Sequence, residues 1–203
     1  MVRPDTENEL LMKIPGEKPV ILLVLLSIIT LLFYPFFWYL ERSSELNNLR
    51  TRTKMGKALP ILLILTFVII LGLISGGLIY MIVKDNLPTE IISLSELPNT
   101  IQIMIYAVAA LIAINLLLQI ISAFKARKIL NEAIINKGEN LKVSWFFTLI
   151  FNFLYLQYEI NRIVNDKEET KRKAPWIMVI IILVLTAAAS YLVYYLQNNN
   201  WVF

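Results

Sequence analysis

Three stretches of the chain, Leu59–Val83, Ile101–Phe124 and Pro175–Leu196, contain no Asp, Glu, Lys or Arg. Each exceeds the ~20 helical residues that cross a hydrocarbon core ~30 Å thick. Backbone amides in lipid have no water to bond, so such stretches must be helices. A core helix of a soluble protein is the competing reading, and three of this length within 203 residues argue against it. The apolar and charged fractions, 58% and 17%, depart from soluble composition in the same direction, since soluble chains average about 45–50% and about 25%.

The sequence contains neither cysteine nor histidine. That removes disulfides, thiol chemistry, Cys/His metal sites and any His-assisted nucleophile. Residues 1–19 are polar and acidic, whereas a signal peptide starts basic and ends at a small-residue site, so cleavage is not expected. The net charge of +4 lies in loops between apolar stretches. There it reads as orientation and lipid-headgroup contact, not as nucleic-acid binding.

Cytoplasmic loops retain Lys and Arg. The N-terminal tail has three of them; residues 41–58, 125–142 and 159–174 have five each; residues 84–100 have one; the tail after Leu196 has none. The 84–100 loop and the C-terminal tail are therefore expected outside, with the N-terminus and the basic loops in the cytoplasm. Val143–Tyr158 is too short to cross and has five basic residues on each flank, which predicts a re-entrant or interfacial segment. Val20–Leu40 is long enough to cross, but Pro35 interrupts it, and an internal proline costs a helix about 3 kcal/mol.

These two stretches resemble each other. TLLFYPFFWY, Thr30 to Tyr39, lies over TLIFNFLYLQ, Thr148 to Gln157. One helical turn out of that register, Glu45, Leu46 and Asn47 match Glu159, Ile160 and Asn161. A charge-free span follows each copy. The expected unit is an apolar dip, an amphipathic polar helix and an outward span, occurring twice in parallel. In the polar helices Tyr39, Leu46 and Leu49, and Phe153, Ile160 and Ile163, share one side. Glu41, Glu45 and Asn48, or Glu159, Arg162 and Asp166, share the wet side. Trp38, Tyr39, Trp145, Tyr155 and Trp176 are expected at headgroup depth.

The fold class is thus an all-α integral membrane protein with three full transmembrane helices, two re-entrant or interfacial apolar segments and a parallel repeat. The boundaries are a tail over 1–19, a single membrane domain over 20–196 (units 20–83, 84–142 and 143–196) and a tail over 197–203. Within 84–100, Thr89 is expected to cap a short helix. Residues 125–137 are expected to extend the preceding helix as far as Gly138.

Leu26–Tyr39 with the following Glu–Leu–Asn, and FLYLQYEINRI, Phe153 to Ile163, resemble a family of small prokaryotic multi-pass membrane proteins known only as a domain of unknown function. The resemblance runs from about Pro19 to Leu196. It implies an integral membrane protein and brings no activity, cofactor or catalytic residue.

Small residues let helices approach closely in lipid. Gly72 and Gly76, and Ala109 and Ala113, have that spacing and read as packing within the bundle, or as a homodimer face. Asn115, with Gln119 one turn on, needs a partner in hydrocarbon and reads as an interhelical bond. Asn152 and Gln157 lie in a dip, where they serve packing or line a water-filled cavity. Glu45 with Asn47 and Glu159 with Asn161 are the candidates for a shared function, binding a cation or a basic partner; the plainer reading is a solvated carboxylate and a helix-ending Asn. No catalytic, cofactor or metal residue stands out, and the chain is read as a non-enzyme. The expected function is a scaffold, accessory subunit or lipid-interacting protein, whose partners are membrane lipids with a protein partner or a second copy. The alternative is a small channel or transporter using the re-entrant segments.

Overall fold

The computed structural model of the chain describes residues 16–30, 33–49, 51–83, 97–139, 142–165 and 173–198. Among them it forms six helices: α1 (Val20–Ile29), α2 (Tyr34–Asn48), α3 (Ala58–Val83), α4 (Asn99–Asn136), α5 (Trp145–Val164) and α6 (Lys173–Asn198). The Thr89-capped helix, Asp166, Lys171 and Arg172, and most of both tails lie outside the described residues. The chain divides into two compact units, 1–168 and 169–203, where a single membrane domain over 20–196 is expected.

In the first unit α3 and α4 are long and apolar enough to cross a membrane. They pack on each other, yet only 22% and 11% of their most apolar windows are buried. The core helix of a soluble protein would bury most of that surface. Leu65, Val68 and Ile69 of α3, and Ile114, Leu116 and Leu117 of α4, are all exposed. Helix α4 has 38 residues and a length of about 57 Å, far more than its charge-free part needs. Its charged extension turns Ala126, Ile129, Leu130, Ala133 and Ile134 inward. It ends at Gly138, whose φ of 87° suits a residue without a Cβ.

The first aromatic stretch breaks into two helices. Helix α1 stops at Ile29, and α2 restarts at Tyr34 with Pro35 in its first turn, where a missing N–H leaves no bond unmade. Pro35 therefore opens a helix instead of kinking one. Lys18 Nζ meets Glu41 at 2.5 Å, and Arg42 donates to the Gly16 carbonyl at 2.8 Å. An unbroken helix would hold Lys18 and Glu41 about 35 Å apart, so α2 returns to where α1 began.

Helix α5 does the same within one element. Asn152 has φ 48° and ψ −124°, which divides it into two arms. The Ser144 N–H donates to Tyr155 Oη at 3.0 Å, although a straight helix would set these residues about 16 Å apart. The first break lies between Ile29 and Tyr34, and Tyr34, where α2 restarts, lies over Asn152 in the Thr30/Thr148 register. The buried faces of both polar helices are Tyr39, Leu46 and Leu49, and Phe153, Ile160 and Ile163.

The second unit consists, among its described residues, of α6. It is a helix of 26 residues with Pro175 in its first turn and exposed Ile177, Ile180, Leu183 and Val184.

Candidate functional site

The segments just ahead of three helices, α1, α3 and α5, are gripped by side-chain amides. Asn47 Nδ2 donates to the Met55 carbonyl at 2.7 Å, and the Met55 N–H returns a bond to Asn47 Oδ1 at 2.6 Å. Met55 lies three residues ahead of α3. Asn161 holds Lys18 in the same two-bonded way, at 2.7 and 3.2 Å, two residues ahead of α1. A third grip, ahead of α5, is shared. Asn131 Oδ1 accepts from the Val143 N–H at 2.7 Å and Arg127 Nε donates to its carbonyl at 2.9 Å. An amide facing a peptide unit offers one donor and one acceptor, so a single Asn satisfies both backbone groups.

The Asn161 grip continues into a buried polar network. Gln157 Nε2 donates to Asn161 Oδ1 at 2.7 Å. Gln157 Oε1 accepts from Trp38 Nε1 at 2.9 Å and from Arg42 Nε at 3.1 Å. Gln157, Trp38 and Arg42 are all fully buried. Arg42 also pairs with Glu45 and bonds the Gly16 carbonyl, so this buried guanidinium ties α2 to α5 and to the segment before α1. Arg42 is not among the residues expected from sequence, although a signal for it exists: an arginine lies three residues from each matched glutamate, before Glu45 and after Glu159.

The structure corrects several expectations. Glu159 and Arg162, assigned to a wet face, are buried and paired at 2.9 Å. Glu45 is half-buried against Arg42. Trp38, Tyr39 and Tyr155 are interior residues, not headgroup anchors; the Tyr39 hydroxyl donates to Asn152 Oδ1. Trp145 and Trp176 are exposed. Thus both dip amides, Asn152 and Gln157, bond to protein groups, because the second polar helix is covered by α1, α2 and α4 where an open face was expected. Gly72 is exposed, and a methyl group added there would meet nothing within 4 Å, while Gly76 and Gly77 face Met104 of α4. Ala109 and Ala113 are exposed. Of the two small-residue pairs, Gly76 thus packs on α4 through Met104, while Gly72, Ala109 and Ala113 stay on exposed surface.

Asn115 is buried and joins the two long helices. Its Nδ2 donates to Leu63 O at 3.1 Å and to Thr66 Oγ1 at 2.7 Å; its Oδ1 accepts from Gln119 at 2.9 Å. Asn115 and Gln119 also border a cleft of about 730 Å³. Phe33, Phe36, Phe67, Ile112, Leu116 and Phe153 supply much of its apolar wall, which brings both breaks to one place. The rings of Phe33 and Phe36 each lie tilted against that of Phe67, with centroids 5.0 Å apart.

Outside the apolar stretch of α4, in its charged extension, Glu132 accepts from Thr53 Oγ1 at 2.5 Å and from the Thr53 N–H at 2.9 Å. These bonds, with a smaller pull from Lys128, hold its carboxyl below the ordinary glutamate value. No group of three or more metal-ligating side chains occurs among the described residues.

Comparison with curated proteins and with solved structures finds no match. A family model does match residues 18–132. That match takes in both α1–α2 and α3–α4 but stops short of Phe153–Ile163, a narrower reach than the resemblance read from sequence. Since it covers more than half of the chain, the protein belongs to the family described as Domain of unknown function (DUF4234).

Proposed function

We propose that the chain is a multi-pass membrane protein in which α3, α4 and α6 cross fully. The stretches 20–40 and 143–158 enter from the cytoplasmic side and return to it. The N-terminus is then cytoplasmic and the C-terminus outside, as the basic loops favour. One observation carries the reading: Lys18 and Gly16, ahead of α1, bond to Glu41 and Arg42 of α2. Helix α1 has 10 residues and is about 15 Å long, half the thickness of a hydrocarbon core. The exposed apolar sides of α3 and α4 support immersion in lipid, where such surface costs nothing. Two helix–break–helix units, each with a gripping Asn at the matched position, support the parallel repeat.

Within that membrane the protein acts without catalysis, as a scaffold, accessory subunit or lipid-interacting protein. The two carboxylates that an interfacial enzyme would use, Glu45 and Glu159, are each paired with an arginine. The dip amides that would line a channel bond to Tyr39, Trp38, Arg42 and Asn161. Purified protein in liposomes, assayed with a panel of ions and small solutes, is expected to give no flux above protein-free liposomes. Robust flux would replace this reading with the channel or transporter.

A further inference from the structure

We propose that the cleft between the α1–α2 break, α3, α4 and the α5 break is a binding site for acyl chains of a membrane lipid. The proposal rests on the membrane reading above and deepens it. The cleft lies against the middle of both long helices, from Phe67 to Ile74 on α3 and from Ile112 to Gln119 on α4. In a bilayer that is hydrocarbon depth. Its volume, about 730 Å³, falls within the ~300–1,000 Å³ typical of small-molecule sites.

The wall decides among occupants. Of its polar side chains, Thr30 bonds to Leu26 O and accepts from the Tyr34 N–H, and Asn115 bonds to Leu63, Thr66 and Gln119. The polar side chains of the wall are thus each engaged with protein groups, and a buried water needs two to four polar partners. Water is therefore a poor filling. A helix from a second copy is ~10–12 Å across, and the cleft follows α3 for only two turns, about 10 Å. That length seats side chains or lipid tails, not a crossing helix. Exposed Val68, Leu71 and Leu116 stand on its wall, so lipid reaches it directly from the surrounding hydrocarbon.

Trp38 provides the probe. Its side chain has no exposed surface, and its ring lies 5.8 Å from that of Phe153, which lines the cleft. The full-length protein with Trp145, Trp176 and Trp201 changed to Phe retains Trp38 alone. It is reconstituted in phosphatidylcholine brominated at mid-chain, since bromine quenches indole only at near contact. A Trp-free version carrying Leu117→Trp, on the exposed side of α4, serves as the lipid-facing reference. The expected result is that Trp38 is quenched to an extent comparable with the reference, and that Ile74→Phe with Leu116→Phe, which narrows the cleft, weakens the quenching of Trp38 and not that of the reference. Leu71→Phe is the second narrowing variant, in case the first does not fold. An unquenched Trp38 beside a quenched reference would overturn the proposal and leave the membrane reading intact. So would quenching that both narrowing variants leave unchanged, because the lipid would then arrive by another route. An unquenched reference would overturn both.

Discussion

Replacing Asn161 with Leu removes three hydrogen bonds at once. Two are the Lys18 grip; the third is from Gln157 Nε2. Lys18 is part-buried, so water recovers some of the first two, at a net loss of about 0.5–1.5 kcal/mol each. Gln157 is fully buried, and a buried donor deprived of its acceptor costs about 1–3 kcal/mol. The sum is about 2–6 kcal/mol. The matched substitution Asn47→Leu removes only the two Met55 bonds, at about 1–3 kcal/mol. At about 2–4 °C per kcal/mol for a chain of this size, Asn161→Leu should lower the thermal midpoint in a mild detergent by roughly 4–24 °C. Asn47→Leu should lower it less. Asn161→Asp keeps both acceptor roles and loses only the donor to Lys18 O, so it should fall between wild type and Asn161→Leu. The two Asn share no partner, so the double variant should show the sum. An Asn161→Leu no worse than Asn47→Leu would refute the reasoning, because the buried continuation through Gln157 would then contribute nothing.

Further outcomes follow from the breaks and the loops. Asn152 holds φ 48° without being glycine, so Asn152→Gly should unfold at higher temperature than Asn152→Ala by the equivalent of roughly 1 kcal/mol; both lose the Tyr39 bond, and the difference isolates the backbone. Glu132 is held below the ordinary glutamate value of 4.5. Its contribution is then fully present above that value and fades as pH falls through the lower folded value. Acid titration of the thermal midpoint should be flatter in Glu132→Gln than in wild type. Pro35→Ala should change stability by less than ~1 kcal/mol, since Pro35 occupies a first-turn position where its missing N–H satisfies nothing; a loss near the ~3 kcal/mol of an interior proline site would contradict that placement.

Much of the architecture was legible because two signals are strong. Charge-free length identifies α3 and α4, and the seven-residue spacing of Tyr39 with Leu46, and of Phe153 with Ile160, picks out the buried faces correctly. The break at Pro35 was visible as a disruption, though not as a helix start. Its counterpart at Asn152 was not, because an Asn in an apolar run carries no marker for positive φ. The polar face of the second helix was misread because amphipathicity reports one buried side and cannot register a second element lying over the other. Glu159 and Arg162 are interior for that reason. Asn47 and Asn161 stood out as matched residues, yet their role depends on backbone groups at Met55 and Lys18, and pairing with a backbone leaves no trace in side-chain identity. The small-residue spacing at Gly72 and Gly76 locates a helix approach only where a partner faces it, as Met104 of α4 faces Gly76.

Whether both ends of the first aromatic stretch lie on one side of the membrane is the central claim. The chain has no cysteine to remove, and Glu17 and Arg52 are exposed on either side of α1–α2. Glu17→Cys and Arg52→Cys, each as a single variant, are treated with an impermeant thiol reagent in intact cells and in inverted vesicles. Both should react in the vesicles and neither in the cells. Labelling of Glu17→Cys in intact cells, with Arg52→Cys protected there, would mean that residues 20–40 cross the bilayer, and the account of two returning segments would be wrong.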